Sequence, residues 1–196
     1  AYSAFLDTGW ESDPNRIVGT ELGLRLGVFT DFNTYNSDSF RILGKGLIHF
    51  RLSPASTLRG GVYYLDRNSI KLVPAVGLLY QPNPMSRYDI FFPQPKFAHY
   101  CRTVGTRDIW GYLAGDYGGG SWTIQRTSGE SDSVDLNEYR VVVGLEWGLN
   151  DAIRAGRRNG FFEIGYAFNR EIEYRFNPQD NIDTNSSVVF RAGIGY

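Results

Sequence analysis

The run Ile17-Val18-Gly19-Thr20-Glu21-Leu22-Gly23-Leu24-Arg25-Leu26-Gly27-Val28-Phe29-Thr30-Asp31-Phe32 decides the fold. Its even positions carry Val18, Thr20, Leu22, Leu24, Leu26, Val28 and Thr30, and its odd positions Gly19, Glu21, Gly23, Arg25, Gly27 and Phe29. A strand sends alternate side chains to opposite faces, whereas a helix would mix the two sets on every face, so the run predicts a strand with one oily and one polar face. The parity returns in Phe40, Ile42, Gly44, Gly46, Ile48, Phe50 and Leu52, opposite Arg41, Lys45, His49 and Arg51.

The C-terminal third repeats it. Tyr139, Val141, Val143, Leu145, Trp147 and Leu149 oppose Glu138, Arg140 and Glu146. Phe162, Ile164, Tyr166, Phe168, Arg170, Ile172, Tyr174 and Phe176 oppose Glu163, Gly165, Ala167, Asn169, Glu171, Glu173 and Arg175. Val188, Phe190, Ala192, Ile194 and Tyr196 oppose Arg191 and two glycines. Between these lie weaker alternations around Leu58–Tyr64, Ile70–Tyr80, Tyr88–Phe92, Lys96–Arg102 and Ile109–Ile124. Pro93-Gln94-Pro95 separates two of them, and Gly118-Gly119-Gly120 must bend or bulge a third.

The sum is an all-β, antiparallel, up-and-down transmembrane barrel of about ten strands, within a range of about 8 to 12. We expect residues 1–16 to form an N-terminal periplasmic segment and residues 17–196 the barrel domain, with no linker inside it. The opening Ala1-Tyr2-Ser3-Ala4 is that expected of a mature or truncated form. Long polar connections (Asn33–Ser39, Thr127–Asp135, Asn177–Ser186) alternate with tight ones (Ser53–Ser56, Gln81–Ser86), as in outer-membrane barrels. Asn150–Asn159 is the exception, where Asp151 is expected to cap a short helix.

Alternation alone does not say which face is buried. Several runs exceed the usual soluble strand of about 5–6 residues and match the ~9–11 a membrane-spanning strand needs. The polar face mixes glycine with isolated charges and suits a narrow interior. Lys45, Lys71 and Lys96 are the lysines among 20 basic residues, so arginine dominates, which favours packed ion pairs over a freely solvated surface. Trp10, Trp110, Trp122 and Trp147 sit mostly near strand ends, as an interfacial girdle would. The expected membrane-facing set is Leu22, Leu24, Leu26, Val141, Val143, Leu145, Phe162, Ile164, Tyr166 and Phe168. The formal charge of -1 gives no general attraction to nucleic acid, and no apolar run approaches the ~20 residues of a spanning helix.

Two features extend the membrane reading. Phe190, Ile194 and Tyr196 resemble the C-terminal signal that the barrel-assembly machinery recognises, with Arg191 where the common signal has glycine. The segments Leu72-Val73-Pro74-Ala75-Val76-Gly77, Phe92-Pro93-Gln94-Pro95-Lys96, Asp116-Tyr117-Gly118-Gly119-Gly120-Ser121-Trp122 and Phe162-Glu163-Ile164-Gly165-Tyr166-Ala167-Phe168 resemble an uncharacterised family of outer-membrane β-barrels, a domain of unknown function in planctomycete-type bacteria. That resemblance implies fold and location, and no activity.

Candidate chemistry is sparse. His99 and Cys101 share a strand face, but i,i+2 side chains stand roughly 7 Å apart with no third group to orient them. His49 reads as an interior residue, and Asp116 before the triple glycine lacks the lysine and helix of a phosphate loop. Glu130, Asp132 and Asp135, like Asp180 and Asp183, lack calcium-loop spacing and read as solvated charge. No catalytic, cofactor or metal residue is expected. A charge network inside the barrel is expected, drawn from Glu21, Arg25, Arg41, Lys45, Arg140, Glu146, Glu163, Glu171 and Arg175. Arg25, Arg41 or Arg140 should pair with Glu21, Glu146 or Glu163. The expected function is a non-enzymatic outer-membrane barrel with a plugged interior, or a very narrow channel, with outer-membrane lipid and the assembly machinery as partners. A soluble barrel holding a small apolar ligand is the alternative, and an outer-membrane hydrolase a third.

Overall fold

The computed structural model describes residues 2–13 and 16–195. Twelve strands form one sheet: β1 (Tyr2–Glu11), β2 (Val18–Thr30), β3 (Phe40–Ser53), β4 (Ser56–Tyr64), β5 (Leu72–Asn83), β6 (Ser86–Phe92), β7 (Lys96–Val104), β8 (Arg107–Gln125), β9 (Ser131–Leu149), β10 (Gly160–Tyr174), β11 (Ile182–Thr184) and β12 (Ser187–Ile194). A short helix, α1 (Asn150–Arg154), joins β9 to β10. Consecutive strands pair antiparallel from β1 through β10, and β11 and β12 both pair with β10 as one interrupted strand. β2 to β8 form a closed seven-strand barrel, sealed where Thr30 at the end of β2 pairs in parallel with Thr123 of β8. The connections lie alternately at the two ends, mostly longer at one and tight at the other; residues 93–95 between β6 and β7 and residues 150–159 between β9 and β10 are the exceptions.

The sheet exceeds the expected ten strands for two reasons. The stretch expected as a segment ahead of the barrel is β1, in register with β2 from Tyr2↔Thr30 to Glu11↔Glu21. Its alternation is legible in retrospect: Tyr2, Leu6 and Trp10 share a parity opposite Asp7 and Glu11. The last strand is broken at Asn185-Ser186, which leaves β11 as a separate piece. The α1 helix is where expected, but Leu149 occupies its N-cap position without a side-chain bond, and Asp151 lies in the first turn instead.

The apolar face points outward. Leu22, Leu24, Leu26, Val141, Val143, Leu145, Phe162, Ile164, Tyr166 and Phe168 are 39–58 % exposed, whereas Glu146 and Glu163 are 4 % and 3 % exposed. The inner face is more mixed than the sequence suggested. Leu47, Ala75 and Phe91 form one apolar cluster inside, and Ala98, Trp110, Tyr112, Val142 and Ile153 another. Ile153 of α1 thus closes the short-turn end. Trp110 therefore belongs to the interior and not to a girdle, while Trp10 lies outside.

The faces exchange roles part-way along the longest hairpin. On β9 the buried series is even through Val142 and Glu138 and becomes odd at Asn137, Asp135 and Ser133. On β8 it changes from Asp108, Trp110 and Tyr112 to Ser121 and Thr123. Gly119 lies at the switch with φ +104, a left-handed value open to glycine at little cost. An added Cβ would stand 1.7 Å from the Leu136 carbonyl oxygen. On β10 the matching irregularity falls between Phe168 and Glu171, with Asn169 at φ 49.

Candidate functional site

The interior charges form ladders that cross several strands. Lys45 and Arg59 both bind Glu21, and Arg59 continues to Asp89, which Arg87 approaches at 3.8 Å. A second ladder links Arg170, Glu138 and Arg140, with 2.7 Å between Arg170 and Glu138. From Arg140 it passes at 3.6 Å to Asp116, which also lies 3.6 Å from Arg191. Arg191 pairs with Glu163, whose second oxygen accepts from the Tyr112 hydroxyl. Lys96 and Arg158 share Glu146. On the edge pair, Arg25 makes a two-bond fork to Asp7 at 2.6 and 2.7 Å, the planar geometry that guanidinium and carboxylate favour.

The expected residues are thus mostly inside, but the expected partners are not theirs. Arg25 reaches Asp7 because β1 lies beside β2, a neighbour the sequence reading omitted. Glu163 finds Arg191 directly opposite on the paired β12, whereas Glu146 is reached by Lys96 from beyond β8 and by Arg158 from the β9–β10 connection. Arg41 is buried but bonds a hydroxyl and a carbonyl instead of a carboxylate. Arg175 lies beyond β10 in a connection, 3.5 Å from Asp38, and is not an interior residue. Glu171 faces Asp183 of β11 in register and makes no ion pair among the described residues. Arg59, Asp89, Glu138, Arg170 and Arg191 carry much of the network and were not singled out from sequence. Parity was the signal for the others, but it groups Arg170 with the outward Phe168 and Ile172, and the register shift between Phe168 and Glu171 is what brings it to Glu138.

The ladders border a chamber of about 800 Å³ whose walls include Asp7, Glu21, Lys45, Asp116, Arg140 and Arg191. It is lined by acids and bases in near balance, so it suits water and paired charge better than an apolar guest. The His49 side chain is buried inside, as expected. His99 and Cys101 do not pair. The strand bulges between Tyr100 and Arg102, and the thiol lies 3.8 Å from the His99 carbonyl. The imidazole instead meets Ser86 across the β6–β7 pair, with 3.1 Å between Oγ and Nδ1. No carboxylate orients that imidazole among the described residues, so the nucleophile–base–orienter arrangement of a hydrolase is incomplete. Asp116 is bound by arginines and Gln94 and is not part of an anion cradle. Among the described residues no group of three or more His, Cys, Asp or Glu side chains is placed to hold a metal ion.

Comparison with protein-family models, with curated proteins and with solved structures returned no match.

Proposed function

We propose that the chain is a small bacterial outer-membrane β-barrel with a plugged, charged interior, acting as a structural membrane component or at most a very narrow ion path, without catalytic chemistry. The observation that carries this reading is the outward apolar belt. On β9 it runs from Tyr139 to Leu149, matching the roughly 9–11 residues that a tilted strand needs to cross a bilayer. Lipid is the partner that such a belt requires, because water would be excluded from it at about 25 cal/mol per Å². Phe190 and Ile194 point outward on β12 and act, in this reading, in the assembly signal; Tyr196 lies outside the described residues. A soluble barrel with an apolar ligand inside needs Leu24, Val143 and Ile164 buried and Glu163 exposed, the reverse of the arrangement above.

The same interior supports the plugged reading. Apolar clusters fill part of the cross-section, α1 covers the short-turn end, and ladders of opposite charge hold the remaining walls together. The test is biochemical. Full-length protein in detergent should give a β-rich circular dichroism spectrum, heat-modifiable gel migration, flotation with vesicles and no steady conductance in planar bilayers. Monodisperse protein in water without detergent overturns the membrane reading, and a large steady conductance overturns the plug.

A further inference from the structure

Arg41 and Arg67 are the arginines buried from solvent among the described residues, and neither has a carboxylate partner. Arg41 donates to the Asp66 carbonyl at 2.9 Å and the Ser133 hydroxyl at 2.6 Å, and its Nε is buried with no partner. Arg67 donates to Asn137 Oδ1 at 2.7 Å and the Gly118 carbonyl at 3.0 Å, and its guanidinium lies 5.0 Å from the centre of the Tyr117 ring. Elsewhere in the interior the arginines sit in ion pairs. A guanidinium removed from water without an anion is costly, and neutral acceptors offset only part of that cost.

Both arginines line one small cavity of about 150 Å³ at the end of the barrel that carries the long connections. Lys71 and Arg175, both exposed, stand at its walls. Lys71 makes no ion pair among the described residues, and Arg175 reaches only Asp38, at 3.5 Å. Two acids also line the space. Asp38 is the partner of Arg175, and the Asp66 oxygens accept from the Ile42 N–H at 3.0 Å and the Tyr64 hydroxyl at 3.2 Å. Asp135 lies deeper, engaged by the Asn68 N–H at 2.7 Å and in electrostatic reach of Arg41 without an ion pair. Four cations against the two acids on the walls leave a positive surplus. A cavity of about 150 Å³ accepts a benzene-sized molecule, and a tetrahedral oxyanion of five heavy atoms is smaller.

We propose that this cavity is a binding site for a tetrahedral oxyanion of the phosphate class, with Arg41 and Arg67 as its buried floor and Lys71 and Arg175 as its mouth. Guanidinium groups suit such an anion through paired N–H donors. The ligand is either free phosphate or a phosphorylated lipid headgroup on the same side of the membrane, since the two present the same oxygens. The site lies in the connections and does not depend on what covers the outer wall.

Full-length protein in a phosphate-free maltoside detergent, titrated with inorganic phosphate at ionic strength matched by chloride, tests it. Phosphate should raise the melting midpoint saturably where chloride does not. Lys71→Ala, a change at an exposed side chain, should weaken phosphate binding about fivefold. Arg67→Met should weaken it by about thirtyfold or more, read as the phosphate-induced shift relative to that variant's own phosphate-free midpoint. Wild-type protein that responds to phosphate no more than to chloride overturns the proposal, as do Lys71→Ala and Arg67→Met variants that both keep the wild-type response. Competition by diphosphoryl lipid A, but not by its dephosphorylated form, assigns the headgroup as the source; phosphate binding that lipid A does not displace assigns the free anion.

Discussion

Glu163 of β10 is held from two sides, by Arg191 of the neighbouring β12 and by Tyr112 of β8. This carboxylate therefore ties the last strand of the sheet to the interior of the closed barrel. Glu163→Ala leaves a partly exposed arginine and a buried hydroxyl without their acceptor. It should destabilise the protein by about 2–3 kcal/mol, toward the low end of values for broken buried pairs because Arg191 keeps some contact with water. Glu163→Gln should lose less, since it keeps an acceptor for Tyr112. Thermal unfolding followed by gel heat-modifiability measures both, and wild-type melting in Glu163→Ala would refute the inward placement of this residue.

Gly119→Ala should be among the most damaging single changes. The backbone there is left-handed and the new methyl would meet the Leu136 carbonyl, so a loss of more than about 3 kcal/mol is expected. Gly129 also has a left-handed φ, of +88, but open space around it. Gly129→Ala should cost only about 1–2 kcal/mol. Equal melting of the two variants would contradict this account of the face exchange.

On the outer wall, Val143→Arg should cost about 2–4 kcal/mol in a bilayer, as a cation placed near the midplane of a barrel does. The same change in detergent, where the head can reach water, should cost less. Refolding yields into vesicles and into micelles provide the comparison. A variant that folds equally well in both would count against lipid on this face.

Acid should loosen the end with the long connections first. Burial alone would raise the Asp132 carboxyl, but donors from Asn177, Phe176, Arg126 and Ser133 outweigh it and hold the group below its ordinary 3.8. Asp31 is likewise held down by the N–H groups of Gln125, Asn33 and Thr34 against the effect of burial. A carboxylate depressed in the folded state stabilises fully above its unfolded value, and the contribution disappears as pH falls through the folded one. The contribution of these two groups should therefore be constant above about pH 5 and be lost below the ordinary 3.8 value. Asp132→Asn should lower the plateau and flatten the slope. An unchanged slope in that variant would assign the acid sensitivity elsewhere.

Period-two alternation made most of the wall legible, because each of β2, β3, β9 and β10 repeats one parity over many residues. It worked least well where parity itself changes. Nothing in Asn137-Glu138 announces that both side chains are buried, since the switch is set by the neighbouring Gly119 and by the bulge after Phe168. Partner choice was also hidden. Alternation places Glu146 inside, but only the lengths of Lys96 and Arg158 and the curvature of the sheet decide that they reach it. The cavity of Arg41 and Arg67 was invisible for a related reason: its walls come from the start of β3, the connections before β3 and before β5, and a residue past β10, which no local pattern joins.

The β8–β9 hairpin has a consequence of reach. Each strand has 19 residues, about 60 Å of extended chain, while crossing the bilayer takes only some 9–11 residues of each. If the strands cross a bilayer as proposed, the remainder stands clear of the lipid by about 20 Å; the connections around Asp31, Asn68 and Phe176 lean on that part through hydrogen bonds. That shaft is a mast for the whole outer surface. In the proposed membrane setting, a binder arriving from outside would meet its tip at Ser128-Gly129 before any other part of the hairpin, and a label placed there should report from beyond the bilayer.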